Sequence, residues 1–195
     1  MKTILFAAVL FTCLLYEGKA QVPTKFHFSG YKVYLLQDGE ARIDFSEKKA
    51  KCIEKYENGV MHYIVEDQVG RIPKDTIVVH FNELQYVYFH NCEIVCKDVI
   101  SLDTLIMVTA SSFGQLKINA DFIEMNIGAG SMLSIEGYSK ETDYLIGAGS
   151  SVDSKHLISE KGNVNVMGYS NLGASIKVVG TVELNKGAFK NHYEM

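Results

Sequence analysis

The chain has 195 residues, 47% of them hydrophobic, with 19 lysines and arginines against 23 aspartates and glutamates for a formal charge of −4. No basic run is present, which argues against a nucleic-acid or anionic-lipid partner. Two prolines and no low-complexity tract leave no sign of an interdomain linker.

The chain opens MKTILFAAVLFTCLLYEGKA. Lys2 supplies the positive start, Ile4 to Leu15 an apolar run, and Gly18-Lys19-Ala20 the small residues that a signal peptidase reads. Residues 1–20 are therefore expected to be a cleaved secretory signal. A lipoprotein reading centred on Cys13 fits less well, because Phe11-Thr12 suits a lipobox poorly. Loss of Lys2, Lys19 and Glu17 with the leader moves the charge by one, from −4 to −5. Residues 21–195 then form one domain, an N-terminal strand region over 21–82 followed by coils over 83–187. No later apolar stretch is long enough to predict an integral membrane segment. Cys52, Cys92 and Cys96 remain, an odd number that leaves at least one thiol unpaired within the chain.

KFHFSGYKVYLLQDGEARIDF alternates as two or three strands, with Asp38-Gly39 as a tight turn. SEKKAKCIEKYENG, Ser46 to Gly59, suits a helix by spacing or a hairpin by its Asn58-Gly59 ending, and strands are favoured. DTIVVHF, Asp75 to Phe81, is a further strand.

From there a period emerges. FHNCE, VTASS, IGAGS and IGAGS begin at Phe89, Val108, Ile127 and Ile146, each 19 residues after the last, and MGYSN follows at Met167. Strand-like pieces come after each. A repeat near 20 residues built from short strands and tight corners predicts a β-solenoid whose coils stack about 4.8 Å apart. Phe89, Val108, Ile127, Ile146 and Met167 are expected to form one inward column. Gly128, Gly130, Gly147 and Gly149 are expected at corners, where glycine tolerates positive φ and leaves room for the next coil. An antiparallel sandwich with evenly spaced hairpins is the alternative.

The segments FHFSGYKVYLLQDGEARIDF and GVMHYIVED, with the AGAG-type corners at Gly128 to Ser131 and Gly147 to Ser150, resemble the head GIN domain family. That family is named for auto-transporter adhesins of Bacteroidetes, and the resemblance extends over essentially the whole mature chain. It implies a right-handed parallel β-helix, a single-stranded solenoid, carrying an N-terminal antiparallel strand region. It supplies no activity. The sequence departs from the pattern at Asn82, where the family often has proline, and at the corner Gly168-Tyr169-Ser170.

No catalytic constellation is legible: nucleophile elbow, Walker loop, HExxH and CxxC are all missing from the sequence, and IGAGS lacks the third glycine and the helix of a dinucleotide site. Cys92 and Cys96 with His90 suggest a metal or disulfide site. In an extended strand, however, residues four apart lie about 13 Å from each other. The plainer reading puts Cys92 in a column of small residues with Ser111, Gly130 and Gly149. Glu124 and Asp143, also 19 apart, are expected to stack on adjacent coils and point outward. They are a candidate acid/base or calcium pair, with Lys140 nearby, or simply a solvated face. Tyr138, Tyr144 and Tyr169 are candidates for recognition, although parity turns Tyr144 inward. Lys97, Lys117 and Lys155 share no 19-residue register that would meet an acidic sugar. VELNKGAFKNHYEM is expected to cap the last coil.

The resulting expectation is an exported non-enzymatic β-helix, an adhesin or envelope scaffold, located in the periplasm, on the cell surface or secreted. It has no catalytic, cofactor or metal residues assigned and binds a surface protein or glycan. The alternatives are a carbohydrate-active β-helix enzyme resembling a polysaccharide lyase, and self-association into a homo-oligomer through a solenoid end or lateral face.

Overall fold

A computed structural model of the protein describes residues 24–39, 42–45, 52–65, 75–184 and 192–194. The expected leader, the side chain of Cys52 and most of the closing segment lie outside the described residues. The described part is all strand and turn. β1 (Lys25–Ser29), β2 (Tyr31–Gln37) and β3 (Arg42–Phe45) arise from the alternating N-terminal stretch. β4 (Cys52–Glu57) and β5 (Val60–Val65) form the hairpin around Asn58-Gly59, both at positive φ, which settles the helix-or-hairpin question there. β6 (Asp75–Phe81), β7 (Tyr86–His90) and β8 (Glu93–Val95) follow. The long strands are β9 (Ile100–Ala110), β10 (Phe113–Ile127), β11 (Met132–Ile146), β12 (Ser151–Val166) and β13 (Asn171–Leu184), before β14 (His192–Glu194).

The long strands pair in parallel with their sequence neighbours, as successive turns of a β-helix do. β10 and β11 match one to one from Phe113↔Met132 to Ile127↔Ile146, so 19 residues make one coil. Among the described residues antiparallel pairing is confined to the N-terminal region, in β3 with β6 and β4 with β5. β1 and β2 sit in that region too, yet they join the parallel stack: β1 lies between β5 and β7, and β2 between β6 and β8. Alternation along each strand sends one set of side chains inward, which gives a single continuous core.

The inward column differs from the expected one at two places. It runs Phe28, Phe89, Thr109, Ile127, Ile146 and Val166. Val108 instead faces out in register with Tyr88 and Asn126, and Met167 is 37% exposed beyond the end of β12. Thr109 is buried because its hydroxyl donates to Ser131 Oγ at 3.1 Å, so the core position carries no hydropathy signal. Met167 misses the column by one place: the register shift between Ser134 and Glu136 of β11 adds one residue to β12, which sets Val166, 20 positions on, opposite Ile146.

The corners are as glycine-dependent as expected. Gly130 and Gly149 adopt φ of 74° and 75°. A Cβ on Gly128 would stand 2.6 Å from the Thr109 carbonyl oxygen of the preceding coil. The small-residue column, however, is one place off. Cys92 stacks with Ser112, Ser131, Ser150 and Ser170, since the next residue of each coil donates its N–H to the carbonyl of the previous member. All five are buried. The serine hydroxyls tie each coil to the one before: Ser112 donates to the Phe89 carbonyl at 3.1 Å and Ser150 to the Gly128 carbonyl at 2.7 Å. Cys92 Sγ makes the equivalent contact with the Phe28 carbonyl at 3.3 Å.

Candidate functional site

Every coil presents the second half of its long strand on one face, and outward residues there stack into two columns. The first is Lys25, Tyr86, Ile106, Glu124, Asp143 and Asn163. The second begins at His62 and continues through His27, Tyr88, Val108, Asn126 and Leu145 to Asn165 and Glu183. Parallel pairing fixes these neighbours through the backbone ladder, so side chains far apart in sequence stand about 4.8 Å apart.

Three cavities follow this face. One of about 600 Å³ lies at the N-terminal end, against Lys25, Tyr86, Thr104 and Ile106, and is closed by the Asn82–Gln85 connection. That connection is pinned by Gln37, whose Nε2 donates to the Asn82 and Ser101 carbonyls at 3.1 and 2.7 Å. A second cavity, about 310 Å³, is floored by Gly128 and Gly147 and walled by Tyr88, Val108, Leu145 and Met167. A third, about 410 Å³, gathers the polar side chains of Glu124, Asp143, Asn163, Asn165 and Glu183 around Tyr144, Leu145 and Val164. The second and third share Asn126 and Leu145, so they are one groove with an apolar and a polar side.

Glu124 and Asp143 are in register on adjacent coils, half-buried and facing out, as the spacing predicts. Lys140 does not serve them, because its Nζ pairs with Asp121 at 2.7 Å. Carboxamides do instead. Asn126 donates to Glu124 Oε1 at 2.8 Å, and Asn163 to Asp143 Oδ1 at 2.8 Å. Asn165 repeats the arrangement with Glu183 Oε2 at 3.0 Å. Charge is thus spread over three carboxylate–carboxamide pairs without a lysine or arginine in the groove lining. Among the described residues no group of three histidine, cysteine, aspartate or glutamate side chains is placed to hold a metal ion.

The N-terminal end of the face is aromatic and basic by residue type. The His27 ring stacks on Tyr88 with centroids 4.5 Å apart and meets His62 edge-on at 5.1 Å. His27 Nδ1 lies 2.9 Å from His62 Nδ1, while its Nε2 is buried without a partner. Burial, then the neighbouring His62 and His90, push the His27 imidazole down to about 4, so the ring is neutral at physiological pH.

The remaining candidates disperse. Cys92 and Cys96 are buried free thiols, and burial pushes Cys92 up to about 11, which makes it an inert packing group. Tyr144 is buried and its hydroxyl donates to Ser154 at 3.0 Å, as its parity predicts. Tyr138 and Tyr169 are exposed but stand outside the groove lining. Lys117 pairs with Glu136 at 2.8 Å and Lys97 lies over the Tyr34 ring at 5.8 Å, so these lysines form no common cationic row. The carboxamides were missed by sequence reasoning. Asn126 and Asn163 differ by 37 positions, and only the observed register, with its extra residue in β12, reveals that they serve neighbouring acids.

No family model and no curated protein matches the sequence. Solved structures do match in fold. A "putative adhesin" of Bacteroides fragilis superposes with a TM-score of 0.70 at 11% identity, over 86% of this chain and 92% of that one. A "putative adhesin" of Parabacteroides distasonis gives 0.54 at 14% identity, over 87% and 92%. A "putative lipid binding protein" of the same organism gives 0.54 at 7% identity, over 88% and 92%. At these identities the likeness is one of architecture.

Proposed function

We propose that the protein is an exported, non-enzymatic binding module of the cell envelope or surface, acting through the grooved face of its β-helix. The observation that carries this reading is the groove that the second and third cavities form along one face, with the first cavity beside its N-terminal end. Binding sites are concave, with apolar walls and a few placed polar groups, and the shared groove has that composition. The leader expected at residues 1–20, the resemblance to the head GIN domain family and the adhesins among the structures of like fold support an adhesive role. The carboxylates of the groove are engaged by carboxamides, an arrangement suited to holding a ligand's polar groups.

The test is an array of glycans and matrix proteins probed with the chain lacking residues 1–20, together with fractionation of cells producing the full chain. Retention on at least one immobilised surface and recovery outside the cytoplasm are expected. Silence across the array would remove the adhesive reading. Release of unsaturated or reducing sugar ends from a bound polysaccharide would replace it with the lyase-like alternative.

A further inference from the structure

Resting on the reading of the grooved face as a binding surface, we infer that its occupant is an extended polysaccharide chain without acidic groups, lying along the solenoid axis. The first ground is shape. From β7 to β13 the shared groove crosses five strand spacings of about 4.8 Å, about 24 Å in all. A track of this length suits a polymer better than a single compact molecule.

The second ground is charge. The shared groove carries Glu124, Asp143 and Glu183 with no lysine or arginine in its lining. A uronic acid or sulfated chain would bring like charges against these carboxylates without a counter-charge.

The third ground is hydrogen-bonding pattern. In each carboxylate–carboxamide pair one bond is made within the pair, at 2.8, 2.8 and 3.0 Å. In the Glu124–Asn126 and Asp143–Asn163 pairs a carboxylate oxygen and an amide N–H remain side by side for a ligand. Adjacent hydroxyls of a sugar donate and accept together and so match such a pair. A peptide matches less well. Its affinity for a sheet comes from adding a strand at an open edge, whereas the backbone groups beneath this groove are already paired across the β10–β11–β12 ladder. The fourth ground is the apolar wall: Tyr88, Val108, Leu145 and Met167 offer carbon surface to the C–H faces of sugar rings, over a glycine floor that lets them approach.

The experiment is calorimetric titration with neutral glucan, mannan and galactan hexasaccharides, with a galacturonic acid hexamer, and with hexalysine. Binding of at least one neutral hexasaccharide is expected, with the uronic acid hexamer and hexalysine inert. Leu145→Arg, which fills the groove from an exposed position, is expected to lower that binding at least tenfold. Ile158→Lys, exposed but absent from the groove lining, is expected to leave it unchanged. Both variants are checked for an unaltered melting temperature, and Glu124→Gln is measured as a conservative second probe of the same groove. Preference for hexalysine or the uronic acid hexamer would overturn the inference, as would neutral-sugar binding indifferent to both Leu145→Arg and Glu124→Gln. Binding to matrix proteins alone would leave the module reading standing and remove the polysaccharide.

Discussion

The two ends of the β-helix solve the same packing problem with different residues. In the N-terminal coils the core is aromatic: Phe28 stacks between Tyr63 and Phe89 at 5.7 and 6.0 Å, with Phe26 beside it at 5.7 Å. In the C-terminal coils it is aliphatic apart from Tyr144, and it includes a buried hydroxyl cluster of Ser139, Thr142 and Ser159. Aromatic rings are large and directional, so each neighbour adjusts individually and no sequence period survives. Aliphatic columns and serine corners are interchangeable from coil to coil, and a period follows. Repetition in sequence marks where packing is modular, while the β-helix itself extends beyond it.

Breaking the aromatic end gives the largest expected effect. Phe28→Ala removes a fully buried ring and is expected to cost about 4 kcal/mol. In hydrogen exchange the loss of protection should concentrate in β1, β5 and β7 and spare β11 to β13, because coils stabilise chiefly their neighbours. Uniform loss would show that the two ends unfold as one unit. The modular end is broken from the backbone instead. Gly137 has a φ of 128°, and an added Cβ would meet the Ile118 carbonyl oxygen at 2.0 Å. Gly137→Ala is expected to cost about 3 kcal/mol in denaturant unfolding, with the reverse exchange pattern.

A smaller effect separates the ends by pH. The folded state holds His27 down at about 4, against about 6.5 in an unfolded chain. Between these values the unfolded chain takes up a proton that the folded one refuses. The contribution is therefore complete above pH 6.5, declines as pH falls, and loses nothing more below about 4. Partial exposure of the ring limits it to about 1–2 kcal/mol. His27→Phe, which keeps a ring against Tyr88, should flatten this part of the pH–stability profile between pH 7 and 4. The smallest expected effect concerns the corner column. Cys92→Ser extends the serine column into the aromatic end and should change stability by less than about 1 kcal/mol. A larger loss would show that the corner rule stops at Ser112.

These contrasts also explain what was legible in the sequence. The paired IGAGS corners exposed the coil length because glycine there answers a geometric demand. Val108 and Met167 misled because an apolar letter beside a corner looks inward, whereas the inward place belongs to Thr109 and Val166. The membership of β1 in the stack left no trace, since its partners Tyr63 and Phe89 are distant and share no motif with it. Glu124 and Asp143 were visible through their equal spacing. Asn126, Asn163 and Asn165 were not, because outward positions need only tolerate water and follow no pattern until register is known.

The one-to-one match of β10 with β11 has a consequence for how such a molecule can change. Because Phe113↔Met132 through Ile127↔Ile146 runs without slippage, a duplicated copy of residues 128–146 would find donors, acceptors and a serine socket already waiting on both sides. Gene duplication could therefore lengthen the protein in whole steps of about 4.8 Å, each step adding a rung without redesigning the others. Reach, and not shape, is the property most easily altered by descent.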